Sequence, residues 1–176
     1  MRVSVVGDFN AWDGRCHAMH RMPMSGIFEL FIPGVKAGDI YKYELKLKGN
    51  RIELKSDPYA ACTEVPPANA SVVADTSVFQ WEDETWMKER KKFSDRKQPI
   101  SIYETSLTEW KDAAELADFV KKLNYTHVEL HPVMEYLDDE AGEYSTFAYY
   151  APTRRFGTPE NFQKGVNELH KGGIGL

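Results

Sequence analysis

Apolar and polar residues alternate along about the first 75 positions of the chain, and this alternation predicts β-strands. In residues 41–48, Tyr and Leu occupy the odd positions and Lys and Glu the even ones, so the two sets should face opposite ways. A Gly-Asn turn follows at 49–50 and alternation resumes in RIELK, which predicts a β-hairpin. Shorter strands are predicted at VSVV, IFELFI and ASVV. Together these strands predict a small β-sandwich over residues 1–78.

A different pattern begins at Trp81, where helical and buried-strand signals replace the alternation. The stretch EDETWMKERKK has acids in its first turn and bases in its last, so residues 79–97 are predicted to form a helical, charged connector. Residues 98–176 then predict a strand (PISIYE), a helix, a strand (THVELHPV), a helix and the start of a third strand at Ile174. Because parallel strands need cover on both faces, this succession predicts the first part of a larger α/β domain.

Both helices predicted within residues 98–176 carry start signals. Asp112 with Glu115 three residues later resembles a capping box, and Thr158 before Pro159 supplies an N-cap and a first-turn proline. The last helix is predicted to end near His170, where a Gly-Gly pair follows. The apolar residues predicted to share one face of the earlier helix are Leu116, Phe119, Val120 and Leu123.

Composition excludes several classes of protein. The chain has 42% hydrophobic and 28% charged residues, as globular proteins do, and its net charge of −5 argues against a nucleic-acid partner. No stretch suits a signal peptide or a membrane span. Cys16 and Cys62 show no metal or redox spacing, which favours reduced thiols and a cytoplasmic location.

Three polar residues of the second predicted parallel strand, His127, Glu129 and His131, share one face by alternation. Their side chains are of the kinds that bind zinc, but neighbours on a strand face lie about 7 Å apart, which is awkward for one ion. The alternative is that they are polar residues of the larger domain's interior or rim. The GGIG stretch lacks the preceding strand and following helix of a dinucleotide loop. No metal and no cofactor is therefore predicted.

Several motifs resemble a known family. VSVVGDFNAWDG, GIFELFIPGVKAGDIYKYEL and DPYA resemble the family-48 carbohydrate-binding module of bacterial glycogen branching enzymes. PISIYE, ELADFVKKLNYTHVELHPVMEY and YYAPTRRFGTPENF resemble the start of their catalytic barrel, a glycoside hydrolase family 13 domain. The resemblance implies an immunoglobulin-like β-sandwich followed by an incomplete (β/α) barrel. It also implies a piece cut at both ends, because the family has a strand before VSVVGDFN and continues GIGL as the third barrel strand.

The resemblance further implies an activity that this chain alone should lack. The family transfers α-1,4-glucan segments to α-1,6 branch points in glycogen, and its nucleophilic Asp and acid/base Glu would fall beyond Leu176. No carboxylate of the β/α part is therefore predicted to be catalytic; these are Glu104, Glu129, Glu135, Asp138, Asp139 and Glu140. The alternatives are a stand-alone α-glucan-binding module with a vestigial appendage, or a regulatory or scaffold protein.

Four residues are assigned to glucan binding by the resemblance. Trp12 matches a Trp that stacks on a glucose ring, Lys42 matches a Lys of the adjacent strand, and Asn69, less closely, matches an Asn further along. Tyr144 matches a Tyr that stacks under the sugar at the cleavage site, although both of its neighbours differ from the family's. A second Trp of the strongest binders is absent here. The alternative for Trp12 is packing in the core or between domains.

Departures from the family pattern gather where the active site would lie. Residues 106–110 read SLTEW where the family has His-Leu-Gly-Ser-Trp, and residues 136–137 replace a His-Pro pair. Scaffold segments match well, so this contrast predicts a loss of catalytic function. The expected partners are α-glucans, namely glycogen and maltooligosaccharides. Self-association, or a partner protein, at the exposed edge of the incomplete barrel is a further hypothesis.

Overall fold

The computed structural model describes residues 1–94, 98–141 and 145–176 of the chain, which form two compact units. The first unit is Met1–Asp75 with Glu135–Ala151, and the second is Thr76–Met134 with Pro152–Leu176. Residues 135–151 thus group with the start of the chain. The three-part domain division suggested by the sequence stays a prediction.

The first unit is built around one four-stranded antiparallel sheet. The strands of this unit up to residue 75 are β1 (Arg2–Gly7), β2 (His20–Arg21), β3 (Phe28–Glu29), β4 (Ile40–Lys46), β5 (Ile52–Lys55) and β6 (Ser71–Val72). The four-stranded sheet consists of β1, β4, β5 and β6, whereas β2 and β3 pair with each other. β1 pairs along one edge of β4, while β5 and β6 pair along the other. The hairpin of β4 and β5 is confirmed, but its loop has three residues, Lys48–Asn50, instead of the predicted two, and Gly49 and Asn50 take positive φ within it. The sheet-rich character of this part is likewise confirmed.

The strand predicted at IFELFI is much shorter than its alternation suggests. β3 pairs only with β2, over two residues on each side. Ile27, Leu30 and Phe31, on either side of β3, are exposed. An alternating apolar sequence becomes a full strand only where a partner strand supplies hydrogen bonds along its length, and β2 is too short to do so.

The predicted outward face of β4 is partly covered. Glu44 should have faced solvent beside Lys42, but its residue is only 9% exposed, and its carboxylate accepts a hydrogen bond from Arg2 at 2.8 Å. Gly14 lies so close that a Cβ there would sit 2.0 Å from a Glu44 carboxylate oxygen. The segment that follows β1 therefore folds over this face, and Lys42 is half-buried, not fully on the outer surface as expected.

The second unit contains the predicted β/α succession. Its elements are α1 (Glu84–Glu89), α2 (Lys91–Ser94), β7 (Ile102–Thr105), α3 (Ala113–Lys122), β8 (His127–Leu130) and α4 (Pro159–Lys171). β7 and β8 are parallel, and Gly175 bridges to His127 in parallel as well. The amide of Val128 donates to the Gly175 carbonyl at 2.8 Å, so the predicted third strand is seen as a single parallel bridge at Gly175.

A pair of strands was missed in what the sequence suggested was a long loop. β9 (Met134–Tyr136) and β10 (Thr146–Pro152) form a two-stranded sheet, most of whose residues belong to the first unit. Within that unit, the Thr63 hydroxyl donates to the fully buried Glu135 carboxylate at 3.4 Å. β10 reads TFAYYAP, in which apolar and polar residues do not alternate, so a search for period-2 alternation misses it.

The core of the second unit lies between α3, α4 and the parallel strands. Its buried residues are Ala113, Ala117, Val120, Val128, Leu169 and Ile174. The predicted face of α3 is partly wrong, because Phe119 and Leu123 are about half exposed while two alanines are buried. Small side chains let α4 approach closely: a Cβ on Gly172 would lie 2.9 Å from the Ala117 Cβ. Close helix packing, not apolar periodicity alone, selects the buried stripe.

The two predicted helix caps have different outcomes. Thr158 caps α4 as predicted: its hydroxyl accepts the Asn161 amide at 3.1 Å, and the Asn161 side chain accepts the Thr158 amide at 2.9 Å. Asp112, in contrast, makes no capping hydrogen bond from its side chain within the described chain, because a 3₁₀ turn at Trp110–Asp112 runs directly into α3. That prediction was wrong.

One face of the parallel strands is partly exposed in the second unit. Ile100 and Ile102, predicted to belong to a buried strand, are 52% and 53% exposed. On the covered side, Tyr103 contacts the rings of Phe119 and Tyr125 edge-on. No helix within the described ranges is both long and apolar enough to cross a bilayer.

Candidate functional site

Trp12 lies in the turn-rich segment that follows β1 and is 38% exposed. Its backbone takes the left-handed conformation, with φ of 61°, and its amide donates to the Gly7 carbonyl at 3.0 Å. The indole Nε1 donates to Asp8 Oδ1 at 2.8 Å. Because both the backbone and the ring nitrogen are held, the indole is fixed in one orientation while much of the residue stays in solvent. Trp12 is thus not a core residue of its unit.

Asn10 organises this loop through three contacts of its side chain. Its Oδ1 accepts the Gly7 amide at 3.0 Å, and its Nδ2 donates to the Val5 carbonyl at 2.9 Å. The same Nδ2 lies 2.8 Å from His17 Nδ1. Asn side chains commonly close turns by binding nearby backbone groups. Sequence reasoning assigned no role to Asn10, and its position in the GDFN turn was the only available signal.

An ion pair directly after Trp12 further restrains the loop. Arg15 binds both carboxylate oxygens of Asp13, with Nη2 at 2.6 Å from Oδ2. The hydrogen bonds from Arg15 lower the pKa of Asp13 to about 2. The carboxylate therefore stays ionised at any physiological pH, and the pair adds no net charge beside the indole.

Lys42 and Asn69, two predicted binding residues, are brought together in the structure. Lys42 on β4 donates through Nζ to Asn69 Oδ1 at 2.5 Å, although 27 positions separate them in sequence. The Asn69 backbone carbonyl also accepts a hydrogen bond from the Ser56 hydroxyl. Opposite Lys42 on β1 is the fully buried Val6. The ammonium and the amide therefore form a fixed polar pair at the margin of the sheet face.

The sheet register places Trp12 in the same region as this pair. Lys42 and Glu44 are two residues apart on β4, so their side chains lie on one face about 7 Å apart. Gly14 contacts the Glu44 carboxylate, and Trp12 is two residues before Gly14. The indole loop and the Lys42–Asn69 pair thus border the same face. The fourth predicted residue, Tyr144, lies outside the described residues and remains a prediction.

The polar residues of β8 do not converge. His127 is half-buried between the rings of Trp86 and Phe93, and burial lowers its pKa. Glu129 is exposed, and His131 Nε2 lies 3.1 Å from an oxygen of the exposed Glu104. Among residues 1–94, 98–141 and 145–176, no three His, Cys, Asp or Glu side chains are grouped to hold a metal ion.

Comparison with known proteins identifies relatives for the chain. The family model of carbohydrate-binding module 48 (isoamylase N-terminal domain) matches residues 1–60. Over 188 residues the chain is 46% identical to the 1,4-alpha-glucan branching enzyme GlgB of Nitrosococcus oceani, covering 99% of this chain and 25% of that protein. The GlgB of Cellvibrio japonicus is 44% identical, with 99% of this chain and 26% of that protein covered.

Solved structures agree on the fold. A putative alpha amylase from Salmonella typhimurium superposes with a TM-score of 0.75 at 20% identity, covering 99% of this chain and 28% of that one. At this identity the likeness shows the fold alone. The chain spans about a quarter of the length of the curated relatives that it matches. The identity along the whole chain confirms the predicted resemblance: over the part that it spans, the chain is similar to the 1,4-alpha-glucan branching enzymes.

Proposed function

We propose that the first unit binds an α-glucan at the surface formed by Trp12, Lys42 and Asn69. The observation that carries this proposal is the Lys42–Asn69 contact, which fixes two polar groups on the face bordered by the Trp12 loop. A glucose ring offers an apolar C–H surface and a rim of hydroxyl groups. An exposed, immobilised indole suits the C–H surface, and an ammonium beside an amide suits the hydroxyl groups.

We expect this surface to bind one end or one segment of a glucan chain weakly. Aromatic contacts contribute about 0.5–1.5 kcal/mol beyond area burial, and each hydrogen bond adds about 1 kcal/mol net. A total near −5 kcal/mol corresponds to a Kd of roughly sub-millimolar magnitude. Because glycogen presents many glucan chains, we expect it to bind the protein more strongly than a single short oligosaccharide does.

The test is co-sedimentation of the chain with glycogen. Trp12→Ala should remove most of the retention, because it deletes the ring that stacks on the sugar. Trp81→Ala is a matched control, since Trp81 is 43% exposed but lies in the second unit. Retention of Trp12→Ala at the level of the unsubstituted chain would contradict the proposal. Should Trp12→Ala fail to fold, Lys42→Met provides the same test from the polar side of the surface.

For catalysis, we propose that these 176 residues contribute glucan binding to the branching reaction without performing it. Support comes from the departures at residues 106–110 and 136–137, and from the exposed Glu104, which is paired with His131. Iodine-stained glucan assays should show no change in branch content with this chain alone, and any increase in branching contradicts the proposal. Retention on glycogen favours a binding module over a purely regulatory or scaffold protein.

The architecture and cellular location complete the proposal. The antiparallel sheet of the first unit supports an immunoglobulin-like sandwich. The parallel β7 and β8, with α3 between them in sequence, support the first β/α units of a barrel. The exposed thiol of Cys16 fits the reducing cytoplasm.

A further inference from the structure

A second aromatic surface lies in the first unit. The rings of Tyr59 and Tyr150 stack with their centroids 5.3 Å apart and an interplanar angle of 29°. Both residues nevertheless remain exposed, Tyr59 to 74% and Tyr150 to 62%. Because so little of their area is removed from water, the contact contributes little to folding. The pair leaves ring faces and two hydroxyl groups available to a ligand.

Both rings project from a fixed backbone. The Tyr59 amide donates to Asp57 Oδ1 at 2.8 Å, and the next residue, Ala60, is buried. Tyr150 lies on β10, directly before the fully buried Ala151. Two exposed rings on anchored backbones, each limiting the other's rotation, lose little conformational entropy when a ligand binds. This preorganisation is a property of a binding surface.

We propose that Tyr59 and Tyr150 form a second contact surface for an α-glucan, which extends the proposed function and rests on it for the class of ligand. A ring face of the pair would stack on the C–H surface of a glucose unit, and the phenol hydroxyls would bond to sugar hydroxyls. An uncharged, hydroxyl-rich polymer suits this surface, because the two rings offer π-faces and hydroxyl groups without formal charge.

The second surface is separate from the first. Asp57, which holds the Tyr59 amide, accepts the hydroxyls of Tyr41 and Tyr43 at 2.7 and 3.1 Å. These tyrosines occupy the odd positions of β4, whereas Lys42 occupies an even one and faces the other way. Contacts made independently by the two surfaces predict additive losses when both are removed.

The test uses glycogen and maltoheptaose with the full 176-residue chain. Tyr59→Ala and Tyr150→Ala should each lower glycogen retention by about threefold to tenfold, the range of one aromatic contact. Tyr149→Ala is the matched control: Tyr149 is 68% exposed on the same strand and makes no aromatic contact with any described residue. A comparable loss in Tyr149→Ala would overturn the proposal, since it would indicate general damage to β10.

The NMR signals of the Tyr59 and Tyr150 rings in the unsubstituted chain give a second measurement, which does not require the tyrosine variants to fold. Maltoheptaose should shift the ring signals of Tyr59 and Tyr150, both in the unsubstituted chain and in Trp12→Ala. Unshifted rings, or tyrosine variants that keep full retention, overturn the second surface even where Trp12→Ala loses its binding. Losses in the tyrosine variants with an unaffected Trp12→Ala uphold the second surface and contradict the first.

Discussion

The two units of the molecule differ in the balance of apolar and polar groups that they bury. In the second unit, apolar side chains cluster around Leu169, and alanines let the helices approach closely. In the first unit, the buried apolar residues are mainly valines and alanines, and several of the most enclosed side chains are polar. These enclosed polar residues are Thr63, Ser71 and Glu135, and their counterparts in the second unit are Thr153 and Asn167. Apolar burial is non-directional and scales with area, whereas buried polar groups depend on individual hydrogen bonds.

The same difference explains which aromatic and aliphatic residues are exposed. Trp12 is exposed in the first unit because polar contacts of its backbone and indole nitrogen hold it at the surface. Ile102 is exposed in the second unit on the strand face away from the apolar core. Exposure therefore indicates a binding role only where specific contacts maintain it. Each of the following substitutions tests one side of this contrast.

Truncation of the apolar cluster should have the largest effect. Leu169→Ala removes a side chain that is 1% exposed and should lower the free energy of unfolding of the second unit by about 2–5 kcal/mol. Leu123→Ala, at a residue 49% exposed, should cost less than about 1 kcal/mol. Urea unfolding followed through Trp86 and Trp110, both buried in the second unit, measures both values. Equal costs at the two leucines would contradict an apolar core centred on Leu169.

Loss of one buried hydroxyl should have an intermediate effect in the first unit. The fully buried Ser71 accepts the Asp57 amide through Oγ at 2.8 Å, so Ser71→Ala leaves that amide unsatisfied at a cost of about 1–3 kcal/mol. Ser25→Ala removes an exposed hydroxyl that also accepts a backbone amide and should cost under about 0.5 kcal/mol. Amide hydrogen exchange at Val5 and Val6 reports the difference. A neutral Ser71→Ala would mean that polar burial does not stabilise this unit.

Local signals in the sequence predicted the elements that depend on adjacent residues. The hairpin at Gly49-Asn50, the Thr158 cap and the parallel bridge at Gly175 are each determined by turn or cap chemistry within a few positions. Periodicity gave their strands and helices correctly for the same reason. These parts of the fold need no knowledge of distant contacts.

Long-range contacts decided the parts that the sequence did not predict. Glu44 is buried because Gly14 and Arg2 cover it, and the buried stripe of α3 follows the close approach of α4. The Lys42–Asn69 contact likewise joins separate segments; only the family resemblance suggested that these residues act together. Asn10 was missed because its role depends on the backbone path between β1 and His17.

The smallest expected effect concerns pH and the two half-buried tyrosines of β4. Burial raises the pKa of Tyr41, and the hydrogen bond to Asp57 and the negative charge of that carboxylate raise it further. Burial, together with the charge of Asp57 and the hydrogen bond to it, raises the pKa of Tyr43 to about 12. An unfolded tyrosine ionises near pH 10, so between about pH 10 and 12 the unfolded chain binds fewer protons than the folded one. Their contribution to stability is complete below pH 10 and falls above it, and that of Tyr43 is lost as the pH rises through about 12. Partial exposure keeps this loss small.

Tyr43→Phe isolates this contribution from the titration of other groups. The variant lacks the ionising hydroxyl, so its free energy of unfolding should fall less steeply between pH 10 and 12 than that of the unsubstituted chain. Tyr149→Phe, at an exposed position on β10, should keep the original slope. Urea titrations at several pH values, followed by amide signals of β1 and β4, measure the slopes. If Tyr43→Phe falls as steeply as the unsubstituted chain, the polar contacts around Asp57 do not set the alkaline stability of the first unit.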